Sequence, residues 1–127
     1  DDMIVQTGIP FYSLCEHHLV PFFGIASVAY IPSHRIVGLS KLARCVDFHS
    51  RALQNQERIT FQIAETLEKE LLPTGVGVVL KARHLCMEMR GVRKPGTETI
   101  TSRVKGAFFD NPATRKEFFD LITLHGC

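Results

Sequence analysis

Two short clusters carry the residue types that bind metals and move protons: Cys15-Glu16-His17-His18 and His84-Leu85-Cys86. A catalytic zinc site takes three protein ligands, drawn from thiolate, imidazole and carboxylate, and leaves a fourth position for water. Cys15 and His18 lie three residues apart, so both can address one ion from a turn, and Cys86 completes the set if folding brings it near. These three are the candidate metal ligands. A lone Cys is more often a small buried hydrophobe, but two Cys that each lie within three residues of a His favour a metal. Cys45, beside Leu42 and Val46, reads as core, and the terminal Cys127 as incidental. His34, His49 and His125 have no partner in sequence and read as surface or ordinary helix residues.

Three further clusters are polar. In Gly38-Leu39-Ser40-Lys41-Leu42-Ala43-Arg44, Lys41 and Arg44 share one helical face. With a helix N-terminus beside them they form a candidate phosphate site, although such a pair more often marks a solvated face. In Gln54-Asn55-Gln56-Glu57-Arg58, a carboxylate suits the N1–H and N2–H₂ edge of guanine, yet an exposed helix Glu is the commoner reading of spacing alone. Met89-Arg90-Gly91-Val92-Arg93-Lys94 is a basic loop, open to an anion or simply to water.

The elements that must position these groups can be read from periodicity. Ile9–Leu14 and Phe22–Ile31 read as strands, the second ended by Pro32. Ser40 is a candidate N-cap for a helix through about Ala52. Ile59, Ile63, Leu67 and Leu71 form one apolar stripe on a helix from about Gln54 to Leu72, stopped by Pro73 and Gly75. Val76–Ala82 reads as a buried strand. In Glu98–Phe108 the alternation sets Ile100, Val104 and Phe108 inward and Thr99, Thr101, Arg103 and Lys105 outward. Pro112–Leu124 reads as a helix with Phe118, Leu121 and Ile122 inward. Strands at both ends with helices between them predict an α+β fold with an antiparallel sheet.

Composition narrows the setting. The 127 residues suit one domain spanning 1–127, and 45% hydrophobic with 22% charged residues is ordinary for a globular chain. A net charge of +2 gives no strong basic surface, so no nucleic-acid partner is expected. No apolar run approaches the roughly 18 residues of a membrane span, so no membrane partner is expected either. The short acidic start, Asp1-Asp2-Met3, is no signal peptide, and without an initiator Met residues are expected upstream. Cysteines beside histidines fit a metal in a reducing, cytoplasmic setting better than disulfides.

Taken in order, the motifs resemble the GTP cyclohydrolase I family. The matching stretches are Cys15-Glu16-His17-His18, Pro21-Phe22-Phe23-Gly24, Gly38-Leu39-Ser40-Lys41 with Arg44, and Gln56-Glu57-Arg58. They continue through Gly75-Val76-Gly77-Val78-Val79, His84-Leu85-Cys86-Met87, Arg90-Gly91-Val92, Thr101-Ser102 and Gly106. The likeness runs from about residue 9 to residue 122. It implies a tunnelling fold, an antiparallel sheet with helices on one face, whose subunits join into a barrel. It implies a homodecamer with sites at subunit interfaces, and a zinc-dependent hydrolase that opens the guanine ring of GTP, releases formate and feeds pterin or tetrahydrofolate-type synthesis.

By position, the resemblance makes Cys15, His18 and Cys86 the zinc ligands. It makes His17 the acid toward the imidazole ring of guanine, His84 the second catalytic histidine, and Ser40 a helper in the later ribose steps. Glu57 becomes the guanine anchor with Gln56 beside it, and Ser40, Lys41, Arg44 and Arg90 the ribose and triphosphate contacts. The family's N-terminal helical region, which adds basic contacts to the triphosphate, is expected to be absent. Ala52 stands where the family often has Arg, and Lys105 where it often has Leu. The competing readings are a tunnelling-fold paralogue acting on another purine or pterin, and a zinc-stabilised GTP-binding module without turnover.

Overall fold

The computed structural model describes residues 2–89 and 93–124. Five strands form one sheet in the order β3-β1-β2-β4-β5. They are β1 (Ile4–Cys15), β2 (Pro21–Ile31), β3 (Leu53–Gln54), β4 (Gly75–His84) and β5 (Glu98–Gly106). All neighbours are antiparallel except β3, which adds a two-residue parallel bridge to the end of β1 through Leu14↔Leu53 and Cys15↔Gln54. The helices are α1 (Leu39–Ser50), α2 (Gln56–Leu71), α3 (Leu85–Glu88), α4 (Ala107–Asp110) and α5 (Pro112–Leu124).

Helices α1 and α2 lie on one face of the sheet. Every second residue of the central strands points at them: Phe22, Ala26, Val28 and Tyr30 of β2, and Val76, Val78, Leu80 and Ala82 of β4. The α2 stripe of Ile59, Ile63, Leu67 and Leu71 closes that layer. Each isoleucine or leucine of that stripe contributes about 1.5–3 kcal/mol on burial. Asn55 caps α2, its side chain accepting the Arg58 N–H at 2.8 Å. Leu72 ends the helix in the left-handed conformation, and Pro73 follows.

The helix α5 packs on the opposite face, against Ala29, Ile31 and Val79, through Phe118 and Ile122. Gly77 leaves room for this, since a Cβ there would stand 2.7 Å from the Phe118 ring. Helices therefore cover both faces of the sheet, α1 and α2 one and α5 the other, in place of the single helical face that was expected, because β2 and β4 are apolar on both sides.

Several elements differ from the sequence reading. β1 starts five residues before the expected Ile9, because a register irregularity between Gln6 and Ile9, with Gly8 at φ +69°, interrupts the alternation. Ser40 is not a cap: α1 begins at Leu39 after Gly38, no side chain caps it, and the helix ends at Ser50. β5 ends at Gly106, where φ +64° turns the chain, and Phe108 lies buried in α4 instead of continuing the strand. Ile100 is 64% exposed, while Thr101 and Lys105 face α2, where Lys105 pairs with Glu65 and Glu68. The alternation of β5 holds, with both faces partly covered: Thr101 and Lys105 find polar partners on α2, and Val104 on the other face packs against the cluster around α5. β3, α3 and α4 were not anticipated; each is four residues or fewer.

Candidate functional site

The first cluster sits on the tight connection from β1 to β2. Leu19 N–H donates to Cys15 O at 2.8 Å and Cys15 N–H to Val20 O at 3.0 Å, with Leu19 at φ 54°. This folds the turn so that the Cys15 Sγ and His18 Nδ1 atoms are 3.4 Å apart. The second cluster lies at the end of β4, where His84 precedes the single-turn helix α3 that carries Cys86. Antiparallel pairing brings the two together, since Phe22 at the start of β2 is the register partner of His84.

The donor atoms of Cys15, His18 and Cys86 all lie within 4.8 Å of one another. Tetrahedral zinc, with bonds of about 2.3 Å to sulfur and 2.0–2.1 Å to nitrogen, needs donors about 3.5–3.8 Å apart. The residues fit the ion in type, number and approximate spacing. His17, next in sequence to a candidate ligand, is exposed.

A clamp joins this turn to α2. Glu16 accepts two bonds from Arg58, both at 2.8 Å, and one from Asn55 Nδ2 at 3.3 Å. Glu16 N–H donates to Gln54 O at 3.0 Å, extending the β3 bridge. The Arg58 hydrogen bonds hold the Glu16 carboxyl below its ordinary value. Glu16 and Arg58 each lie within a motif, but nothing in the sequence pairs positions 16 and 58.

His84 is half-buried. Its ring lies flat on Phe22, with centroids 4.6 Å apart and planes 2° from parallel. Its Nε2 is 2.6 Å from the Gln56 side-chain oxygen. Burial holds its pKa below the usual imidazole value, opposed by the negative charge of Glu57. Gln56, expected beside the guanine anchor, is 2% exposed, and its amide nitrogen faces Leu80 O, Thr99 O and Thr101 Oγ1. In this chain its side chain is fully engaged by protein groups. Glu57 is exposed at the start of α2 and lines a cavity of about 210 Å³ with Thr60, Phe61, Thr101, Ser102 and Arg103.

The candidate phosphate residues lie elsewhere. Lys41, Arg44, Phe48, His49 and Glu70 line a separate cavity of about 440 Å³ between α1 and α2. Lys41 pairs with Glu70 at 3.5 Å, and Arg44 donates to Ser40 Oγ at 3.0 Å. Cys45 lines the same cavity, and burial pushes its thiol up to about 11, which agrees with its reading as core. His49 is partly buried, its Nε2 2.8 Å from Thr66 Oγ1. Arg90, His125 and Cys127 lie outside the described residues. No disulfide is found among the described cysteines, and no described helix is long and apolar enough to cross a membrane.

Comparison with known proteins adds three findings. A family model for GTP cyclohydrolase I matches residues 1–123. Proteins named GTP cyclohydrolase 1 from Synechococcus sp. (strain JA-3-3Ab) and Sulfurihydrogenibium sp. (strain YO3AOP1) are each 57% identical to it, over 96% and 98% of this chain. The chain spans 53% of the first protein's length and 67% of the second's. A crystal structure of the archaeosine synthase QueF-Like in the apo form superimposes with a TM-score of 0.68 at 18% identity, covering 84% of this chain and 95% of that one. The chain shares that protein's fold, in keeping with the expected α+β tunnelling class.

Proposed function

The chain belongs to the GTP cyclohydrolase I family, and on that premise we propose that it hydrolyses GTP to 7,8-dihydroneopterin triphosphate and formate, using zinc held by Cys15, His18 and Cys86. The observation that carries this reading is the convergence of those three donor atoms within 4.8 Å, beside an exposed histidine that is not one of them. Bound zinc would supply a Lewis acid that makes water nucleophilic near neutral pH, which attack at C8 of the purine requires.

The chain's own residues do the rest. Glu57 accepts two hydrogen bonds from the N1–H and N2–H₂ edge of guanine, selecting it over adenine, which lacks that edge. His17 donates a proton to the imidazole ring nitrogen as the C8–N bond breaks, so charge does not build there. Hydrolysis of the resulting formamide releases formate. His84 and Ser40 serve the ribose opening and closure of the new ring, and Lys41, Arg44 and Arg90 hold the triphosphate.

The two substrate-facing sets argue for assembly. Glu57 and the pair Lys41–Arg44 line different cavities, so a complete site combines the guanine end of one copy with a phosphate end from another. Among the described residues neither sheet edge has a strand partner within the chain, and Tyr12, Leu14, Leu53 and Ile100 stand exposed near them. Such edges call for pairing, and a ring of copies, a decamer in this reading, provides it. The absence of a disulfide among the described cysteines suits a cytoplasmic enzyme at the head of pterin or tetrahydrofolate-type synthesis.

The test is incubation of zinc-loaded full-length protein with GTP, following formate and the fluorescence of the oxidised pterin. Both should rise together. Binding of GTP with no formate released would replace the enzyme by a binding module.

A further inference from the structure

We propose that Gln56 fixes the tautomer of His84, leaving Nδ1 as the nitrogen that serves the substrate, with Thr101 and Thr60 holding Gln56 in the orientation this needs. The proposal deepens the role given to His84 above and rests on it for its catalytic half.

The argument follows the hydrogens. A glutamine amide presents a donor on one side and an acceptor on the other, and its surroundings decide which way it faces. The Gln56 nitrogen is surrounded by three oxygens: Leu80 O at 3.2 Å, Thr99 O at 2.9 Å and Thr101 Oγ1 at 3.1 Å. Two are peptide carbonyls, which only accept, so the NH₂ group must lie on their side. The amide oxygen is thereby turned to His84 Nε2, 2.6 Å away. That oxygen also only accepts, so Nε2 carries the proton, and in the neutral ring the lone pair falls on Nδ1.

The two threonines complete the assignment. Thr60 Oγ1 donates to Gln56 O at 2.8 Å, which uses its single proton. Thr101 Oγ1, 2.8 Å from Thr60 Oγ1, therefore donates to it, and its lone pairs face the Gln56 NH₂. The circuit leaves the Gln56 side chain through two hydroxyls and returns to the Gln56 main chain, and each hydroxyl hydrogen has one direction. Gln56 and Thr60 are each 2% exposed, so water does not compete, and a satisfied network in such a place holds its members rigidly. Phe22, stacked on the ring, sets its plane, while Gln56 sets which nitrogen bears hydrogen. Gln56 acts through His84 and is a positioning residue, in place of the guanine contact that its motif suggests.

The test is magic-angle-spinning NMR of zinc-loaded full-length protein labelled with ¹⁵N-histidine at pH 8, together with steady-state kinetics. In the unaltered protein His84 should show a single Nε2–H tautomer. Gln56→Met, similar in shape but with no hydrogen bond to offer, should give mixed tautomers and lower kcat by about 10-fold or more, with KM for GTP within about two-fold, because alignment acts on the chemical step. Thr101→Val should shift both readouts less in the same direction, and Thr101→Ser should restore them. His84 protonated on Nδ1 in the unaltered protein overturns the proposal even if every variant fails to fold. So does Gln56→Met that raises KM while leaving kcat and the tautomer unchanged, the signature of a substrate contact. Absence of formate release by the unaltered protein sinks the catalytic half along with the proposed function, while the tautomer measurement still decides the structural half.

Discussion

Replacing Phe22 by Leu separates what the sheet needs from what His84 needs. Phe22 has no exposed surface; its ring meets Phe11 edge-on at 6.3 Å and lies parallel to the His84 ring at 4.6 Å. Leucine keeps much of the apolar volume, so the transfer loss is small, but both ring contacts disappear. Each contributes about 0.5–1.5 kcal/mol beyond its buried area, and the residual void costs about 24 cal/mol per Å³. The expected loss is about 1–3 kcal/mol. Urea unfolding at saturating zinc and fixed protein concentration should show a lower midpoint at unchanged slope, since bound metal and assembly both raise apparent stability. Turnover should fall too. The imidazole keeps its Gln56 bond but loses the surface that sets its plane, so kcat should drop about 10-fold with KM for GTP unchanged. A variant with a lower midpoint and undiminished kcat would refute the reasoning and reduce the stack to packing.

Other outcomes are equally definite. His17→Ala should retain about one zinc per chain by elemental analysis yet lose roughly 10²-fold in formate release, whereas His18→Ala should lose the metal; the opposite pattern would exchange the two roles. Gly77→Ala should destabilise by about 1–3 kcal/mol through overpacking against Phe118, and Phe118→Leu in the same chain should recover part of it; additive losses would place α5 elsewhere. Burial, opposed by a Gln62 hydrogen bond and the charge of Glu70, holds His49 below its ordinary value of 6.5. The unfolded chain then takes up this proton first, so the His49 contribution is complete above about pH 6.5 and is lost as pH falls through 6.5 toward the lower folded value. His49→Gln should flatten the stability curve in that window, and an unchanged slope would assign it to other groups.

The parts of the molecule legible in sequence are those set by local pattern. The four-residue stripe of α2 placed that helix to within two residues at each end, and the stretch Pro112–Leu124 matches α5. The spacing of Cys15 and His18 suggested a shared ion because three residues of turn leave little freedom, and Cys86 entered by residue type. What sequence did not reveal depends on partners far along the chain. Gln56 reads only as the neighbour of the guanine anchor until β4 and β5 surround its amide. Glu16 and Arg58 become a clamp only when β3 brings the start of α2 to the turn. Ser40 resembles a cap, but Gly38 opens the helix and Arg44 takes the hydroxyl. Phe118 announces an apolar helix face without saying which side of the sheet receives it.

The pairing of Phe22 with His84 has a consequence for how the protein fails. Side chains alternate between sheet faces, so a slip of β4 along β2 by a single residue would turn His84 to the opposite face and pull Cys86 away from Cys15 and His18. Competence of the site is therefore digital. A chain either carries the correct alignment and the whole constellation, or it carries a similar-looking sheet with none. Metal content measured on a freshly refolded sample would then count correctly aligned molecules one by one, and would expose a misaligned fraction that circular dichroism passes as folded.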